Sequence, residues 1–147
     1  MRIALFLHLI SNVVWIGGMF LAYVVLRPVA GAVLEPPQRL RLWEGLFRRF
    51  FLWVWAAVVL ILLSGFTMMG EMSAVPHAVL LMAVVGFVMV AVFLYVFFVP
   101  FVRLKQAVAA EDWKAGGVAL ATIRKLVAIN LALGIINIAV GTLRPLV

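Results

Sequence analysis

Ala78–Val102, AVLLMAVVGFVMVAVFLYVFFVPFV, runs for 25 residues without a charged side chain. As a helix it reaches about 37 Å at 1.5 Å per residue, more than the roughly 30 Å of a bilayer's hydrocarbon core. It is far longer than a core strand and lacks the apolar–polar alternation of a membrane barrel, so a transmembrane helix follows. Working outward, three further charge-free apolar runs occupy Ile3–Leu26, Phe50–Met69 and Leu126–Leu143. The expectation is an all-α, integral membrane four-helix bundle, up-down-up-down, forming one transmembrane domain over residues 1–147. Its spans are 3–26, 50–69, 78–102 and 126–143, and its longer connections are 27–49 and 103–125.

Composition agrees. The chain is 68% hydrophobic and 12% charged, with a mean hydropathy of +1.28. A soluble domain of 147 residues cannot hide that much apolar surface. The net charge of +7 therefore reads as membrane orientation, not as nucleic-acid binding. There is no cysteine, which excludes disulfides, thiolate metal sites and thiol catalysis. Ala30-Gly31-Ala32 has the form of a signal-peptidase site, but the apolar run before it is too long for a cleavable leader.

Lysine and arginine fix the expected orientation. Arg27, Arg39, Arg41, Arg48 and Arg49 follow the first span; Arg103, Lys105, Lys114, Arg124 and Lys125 follow the third. Ten of the twelve basic residues thus share one side, against Arg2 and Arg144 on the other. The positive-inside rule makes the basic side cytoplasmic and puts both termini and the Glu71–His77 loop outside. Tyr23, Trp53 and Tyr95 near the basic end suit an interfacial belt. Glu35-Pro36-Pro37 is a helix start, and Leu40, Trp43, Phe47 and Phe50 recur at helical spacing, as in a helix lying among lipid headgroups. Gly116-Gly117 reads as a break before the last span.

No Asp, Glu, Lys or Arg falls within a span, which argues against an ion-coupled pump. Asp112, the one aspartate, is on the basic side, so no Ser-His-Asp set forms at the other end; no phosphate-binding glycine loop is present. An enzyme is therefore not the expected reading, and a haem-dependent membrane oxidoreductase is the form one would take.

What chemistry remains collects at the outer end: Met1, His8, Met68, Met69, Met72 and His77. His8 lies about 7–8 Å into its helix, counting from Ile3 at 1.5 Å per residue, and an intramembrane imidazole needs a partner. Thioether sulfur with imidazole suits Cu(I), so the candidate metal ligands are His8, Met68, Met69, Met72 and His77, with Glu71 drawing cations to them. Against this stands ordinary packing by methionine and a histidine satisfied by the backbone. His8, Asn12, Trp15 and Met19 share one helical stripe; Asn130, Gly134, Asn137 and Gly141 share another that reads as helix packing, as do Gly17-Gly18 and Ser64-Gly65. Met82 points away from the group.

The run from His8 through Trp15-Ile-Gly17-Gly18 to Arg27-Pro28 resembles the opening of the CopD (copper resistance protein D) family. Val-Phe-Phe-Val-Pro100-Phe-Val-Arg103-Leu, the stretch into Asp112-Trp113, and Ile-Arg-Lys-Leu-Val-Ala-Ile-Asn130 through Gly134 resemble small stand-alone members. That resemblance implies an inner-membrane protein of copper uptake or handling, with His8 as principal ligand and a second copy or a periplasmic copper carrier as partner. A competing resemblance is to small haem b membrane proteins, HemJ-type protoporphyrinogen oxidases and four-helix cytochromes b; it implies His8 and His77 as axial ligands. A third reading is an assembly subunit without ligand.

Overall fold

The computed structural model describes residues 1–143. Arg144, counted above with the outer side, lies outside them. The described chain is all helix. α1 (Arg2–Phe20) continues through a π-helical turn (Leu21–Leu26) into α2 (Arg27–Val33), making one rod of 32 residues. α3 (Pro36–Gly70) is one helix of 35 residues, α4 (His77–Phe98) and α5 (Pro100–Ala109) form a rod of 33, and α6 (Trp113–Thr142) has 30. All four rods are long and apolar enough to cross a membrane.

At 1.5 Å per residue the rods measure about 45–52 Å, some 15–20 Å more than a hydrocarbon core. All of the excess lies at the basic end. The expected connections are therefore helical extensions of the spans, broken only around Leu34–Glu35 and Ala110–Asp112. Each break has a cause. Pro36 and Pro37 occupy the first turn of α3, where the missing N–H costs nothing. Pro100 opens α5 after Val99 leaves helical geometry at φ −117°, ψ −80°. Glu111 takes a left-handed φ of 54°, and Asp112 then caps α6 by accepting from the Ala115 amide at 3.0 Å.

Two local expectations change. The helix begun at Glu35 is continuous with the second span, and Leu40, Trp43 and Phe47 of its stripe are buried in protein instead of lying among headgroups; Phe50 is half-buried, and the next buried ring is Phe51. The stripe turns inward because α5 offers Phe101 and Leu104, and α6 offers Ala119 and Ile123, all buried in the same cluster. Gly116-Gly117 is not a break: both lie inside α6, and Gly116 lets Leu40 approach, since a Cβ there would stand 3.1 Å from its Cδ1.

Which ends meet is seen in three contacts. The Met1 amine pairs with Glu71 at 3.3 Å, bringing the start of α1 to the end of α3. Arg41 pairs with Glu111 at 3.2 Å, bringing the first turns of α3 to the end of α5. The Met82 thioether covers Gly141, joining the start of α4 to the end of α6. α1 packs mainly on α3, and α4 mainly on α6; α3 and α4, though consecutive, keep their backbones apart and meet through aromatic side chains. Of the three aromatics expected in an interfacial belt, Trp53 and Tyr95 are exposed on the outside of the bundle, whereas Tyr23 is half-buried beneath Arg27.

The fourth-helix stripe is packing, as its spacing suggested. Asn130 is buried and donates to the Met89 carbonyl at 3.1 Å, while its Oδ1 has no partner among the described residues. Gly134 is buried where Ile16 and Met89 cross α6; a Cβ there would sit 3.0 Å from Ile16 and 3.2 Å from Met89. Gly134→Val is expected to destabilise the bundle by about 1–3 kcal/mol through overpacking. Gly31→Val, at a position with open space around it, is the control. Thermal unfolding in detergent separates the two; equal melting of both variants would contradict the crossing.

Candidate metal centre

α1 and α3 form the seam that holds the one intramembrane histidine. His8 is half-buried, and its Nδ1 lies 3.1 Å from the Ser64 Oγ. A Cβ added to Gly65 would meet the imidazole at 3.6 Å, so Ser64-Gly65 makes the floor on which the ring rests. Ser64 is buried, and its hydroxyl donates within its own helix to the carbonyl of Leu60, with Ile61 O at 3.2 Å. A hydroxyl has one proton. With that proton given to the backbone, Oγ is left to accept from His8 Nδ1–H, and the Ile61 backbone is a second hydrogen-bond partner for the ring. Asn12, on the next turn of the same stripe, donates to the His8 carbonyl at 2.7 Å. The stripe goes on through Trp15 and Met19, both buried, with Trp15 edge-on to Phe93 at 6.2 Å.

Met68 follows Ser64 by four residues and Met69 follows Gly65 by four, all within α3. Each methionine therefore sits one turn, about 5.4 Å, beyond a residue that touches or faces His8, on the same side of the helix. Both are half-buried. α3 ends at Gly70, so Met72 falls in the turn that follows and does not share a helical face with Met68. His77 is exposed at the first position of α4, after Pro76. Glu71 is exposed and paired with the Met1 amine. His8 is thus brought to α3, toward Ser64, Gly65 and the turn carrying Met68 and Met69; His77 stands on α4, which packs on α6. Among the described residues no three His, Asp or Glu side chains come together as a metal site.

Ser64 is the His8 contact that sequence reasoning missed, having been assigned to packing with Gly65. The signal was depth. His8 is five residues inside one end of its span and Ser64 five residues inside the matching end of the next.

A family model described as Copper resistance protein D, CopD, matches residues 44–143. The match takes in most of α3, all of α4 and α5, and α6, hence Ser64, Met68, Met69, Met72 and His77. It starts after α1, which leaves His8 outside it. No curated protein and no solved structure matches the chain.

Proposed function

The chain belongs to the CopD family, copper resistance protein D, and from that premise we propose that it binds Cu(I) at the outer end of the α1–α3 seam. It is a multi-pass membrane protein related to copper resistance. In the reading advanced here it lies in a bacterial inner membrane, up-down-up-down, with both termini outside; the ten-to-two division of basic residues supports this. His8 is the principal ligand, with the thioethers of Met68 and Met69 beside it. Met72 and His77, at the mouth of the next connection, hand the ion in from a carrier or pass it to a second copy, and Glu71 draws cations toward them. The copper is cargo.

The observation that carries this reading is the His8–Ser64 contact. A half-buried imidazole in a membrane span costs free energy unless its polar atoms are used. Here Nδ1 is used, and Met68 and Met69 stand one helical turn beyond Ser64 and Gly65, the α3 residues beside the ring. Such second-sphere hydrogen bonds orient a histidine and are worth about 10–100-fold in metal affinity. Ser64→Ala is therefore expected to weaken Cu(I) binding by about tenfold or more, with helicity unchanged, because the hydroxyl's other partners are carbonyls of its own helix. Competitive Cu(I) titration of protein in nanodiscs measures it. Unchanged affinity in Ser64→Ala would remove the argument from the hydrogen bond. The purified protein should also be featureless in the visible, oxidised or reduced with dithionite; a Soret band sharpening on reduction would replace the copper reading with haem b.

A further inference from the structure

At the basic end, opposite the His/Met group, the helices enclose a cavity of about 460 Å³, within the range of small-ligand sites. It lies between the π-helical turn with α2, the first turns of α3, and the first half of α6. Its floor is buried and apolar: Ala22, Leu40, Trp43 and Phe47. Its mouth is exposed at Gly31, Pro36, Gly117 and Ala121. Arg27, Arg39, Lys114 and Arg124 line it, and no carboxylate does.

Four of the five acidic residues are engaged elsewhere: Glu44 pairs with Arg48, Glu111 with Arg41 and Glu71 with the Met1 amine, while Asp112 caps α6. The fifth, Glu35, precedes Pro36 at the mouth and is exposed; it does not line the cavity. None of the four cavity cations has an ion-pair partner among the described residues. Arg27 is held in place, its Nε donating to the Tyr23 carbonyl at 3.2 Å and its guanidinium lying 4.3 Å from the Tyr23 ring centroid. Both residues come from the segment where the π-helical turn passes into α2; such turns re-aim side chains and recur at functional sites.

Four cations without acids demand an anion, and planar guanidinium groups match phosphate oxygens in particular. The cavity carries no imidazole or thioether, so its occupant is not a soft metal or a histidine-ligated haem. The apolar wall running inward from Arg124 to Val127, and from Arg27 to Ala22, demands an apolar tail on the same molecule. The level, just beyond the hydrocarbon core on the basic side, is that of lipid phosphates. We propose that this cavity is a specific site for one anionic phospholipid: its phosphate is held by Arg27, Arg39, Lys114 and Arg124, and the upper part of an acyl chain lies along Tyr23, Trp43 and Phe47. The remainder of the lipid stays in the bilayer. The proposal is independent of the copper reading.

The test is native mass spectrometry of the full chain in detergent, titrated with phosphatidylglycerol or phosphatidylcholine. Wild type is expected to retain one phosphatidylglycerol and to prefer it clearly over phosphatidylcholine. The double variant Arg39→Gln, Arg124→Gln should bind about tenfold or more weakly, two cations being removed from one phosphate site. Arg48→Gln, Arg49→Gln removes the same charge outside the cavity and should bind as wild type does. Ala121→Trp fills the mouth without changing charge and should also lose the lipid, so the test stands even if the first double variant does not fold. Equal retention of both lipids, equal loss in the Arg48/Arg49 control, retention by Ala121→Trp, or displacement of the lipid by excess inorganic phosphate would each overturn the proposal, the last in favour of a soluble anion.

Discussion

His8→Ala is expected to cost about a hundredfold or more in Cu(I) affinity, because a direct ligand is worth at least the upper end of what its outer-sphere partners contribute. The loss should come without unfolding. His8 is half-buried, and when its ring is removed the Ser64 hydroxyl keeps its bond to the Leu60 carbonyl. No buried donor is orphaned on α3, so the stability change should stay within about 1 kcal/mol, the ordinary worth of one such hydrogen bond. Titration of wild type and variant in nanodiscs, with circular dichroism on the same samples, separates binding from folding. Met68→Leu and Met69→Leu should each bind more weakly than wild type while keeping the packing volume. Full Cu(I) affinity in His8→Ala would end the assignment of the site.

The second large effect is on stability and lies at the other end of the bundle. Phe51 is 3% exposed and sits at the centre of an aromatic cluster that ties α3 to α4 and α5. Its ring stacks on Phe47 at 5.1 Å and meets Phe93, Phe97 and Phe101 edge-on at 5.6, 6.1 and 4.9 Å. The α3 and α4 backbones stay apart, so ring contacts, those of Phe51 together with those of Trp55 to Phe93, Phe97 and Phe98, carry much of what holds those rods together. In lipid the apolar transfer term largely vanishes, and close packing does the work. Phe51→Ala leaves a void against four rings and, with the cavity term alone, is expected to cost about 1–3 kcal/mol. Phe66→Ala is the comparison: Phe66 is exposed on the bundle's outside and meets only Phe87, at 6.2 Å. A Phe51→Ala protein melting in detergent with wild type, or with Phe66→Ala, would contradict the packing account. Its Cu(I) affinity below the melting range should be that of wild type.

The spans were legible because charge-free runs of more than about 18 residues have few other uses. What the pattern left open was the surroundings of each helix face. Leu40, Trp43 and Phe47 repeat at helical spacing whether they meet headgroups or protein; only the positions of α5 and α6 decide, and these lie more than fifty residues away in sequence. The π-helical turn at Leu21–Leu26 contains neither glycine nor proline and left no signature. Gly116-Gly117 misled because a glycine pair marks a turn or a close approach equally well, and here Leu40 makes it the latter. Glu111, which does turn the chain, is an ordinary residue in a left-handed conformation.

The candidate site was half legible. Imidazole and thioethers are rare enough in an apolar chain to be singled out, and the stripe from His8 to Met19 follows from helical period alone. Ser64 stayed hidden because a serine within a span usually bonds back to its own helix, as this one also does. Its second contact, to His8, depends on the relative depth of α1 and α3. Met72 follows Met68 by four residues, a spacing that puts two side chains on one face only while the helix lasts, and α3 ends at Gly70.

The measurement that bears most directly on the central claim is X-ray absorption at the copper edge, on protein loaded with one equivalent of Cu(I) in nanodiscs. The account predicts a mixed shell of imidazole nitrogen and thioether sulfur, losing nitrogen scattering in His8→Ala and sulfur scattering in Met68→Leu. A shell of oxygen and nitrogen without sulfur, or one indifferent to both substitutions, would contradict it.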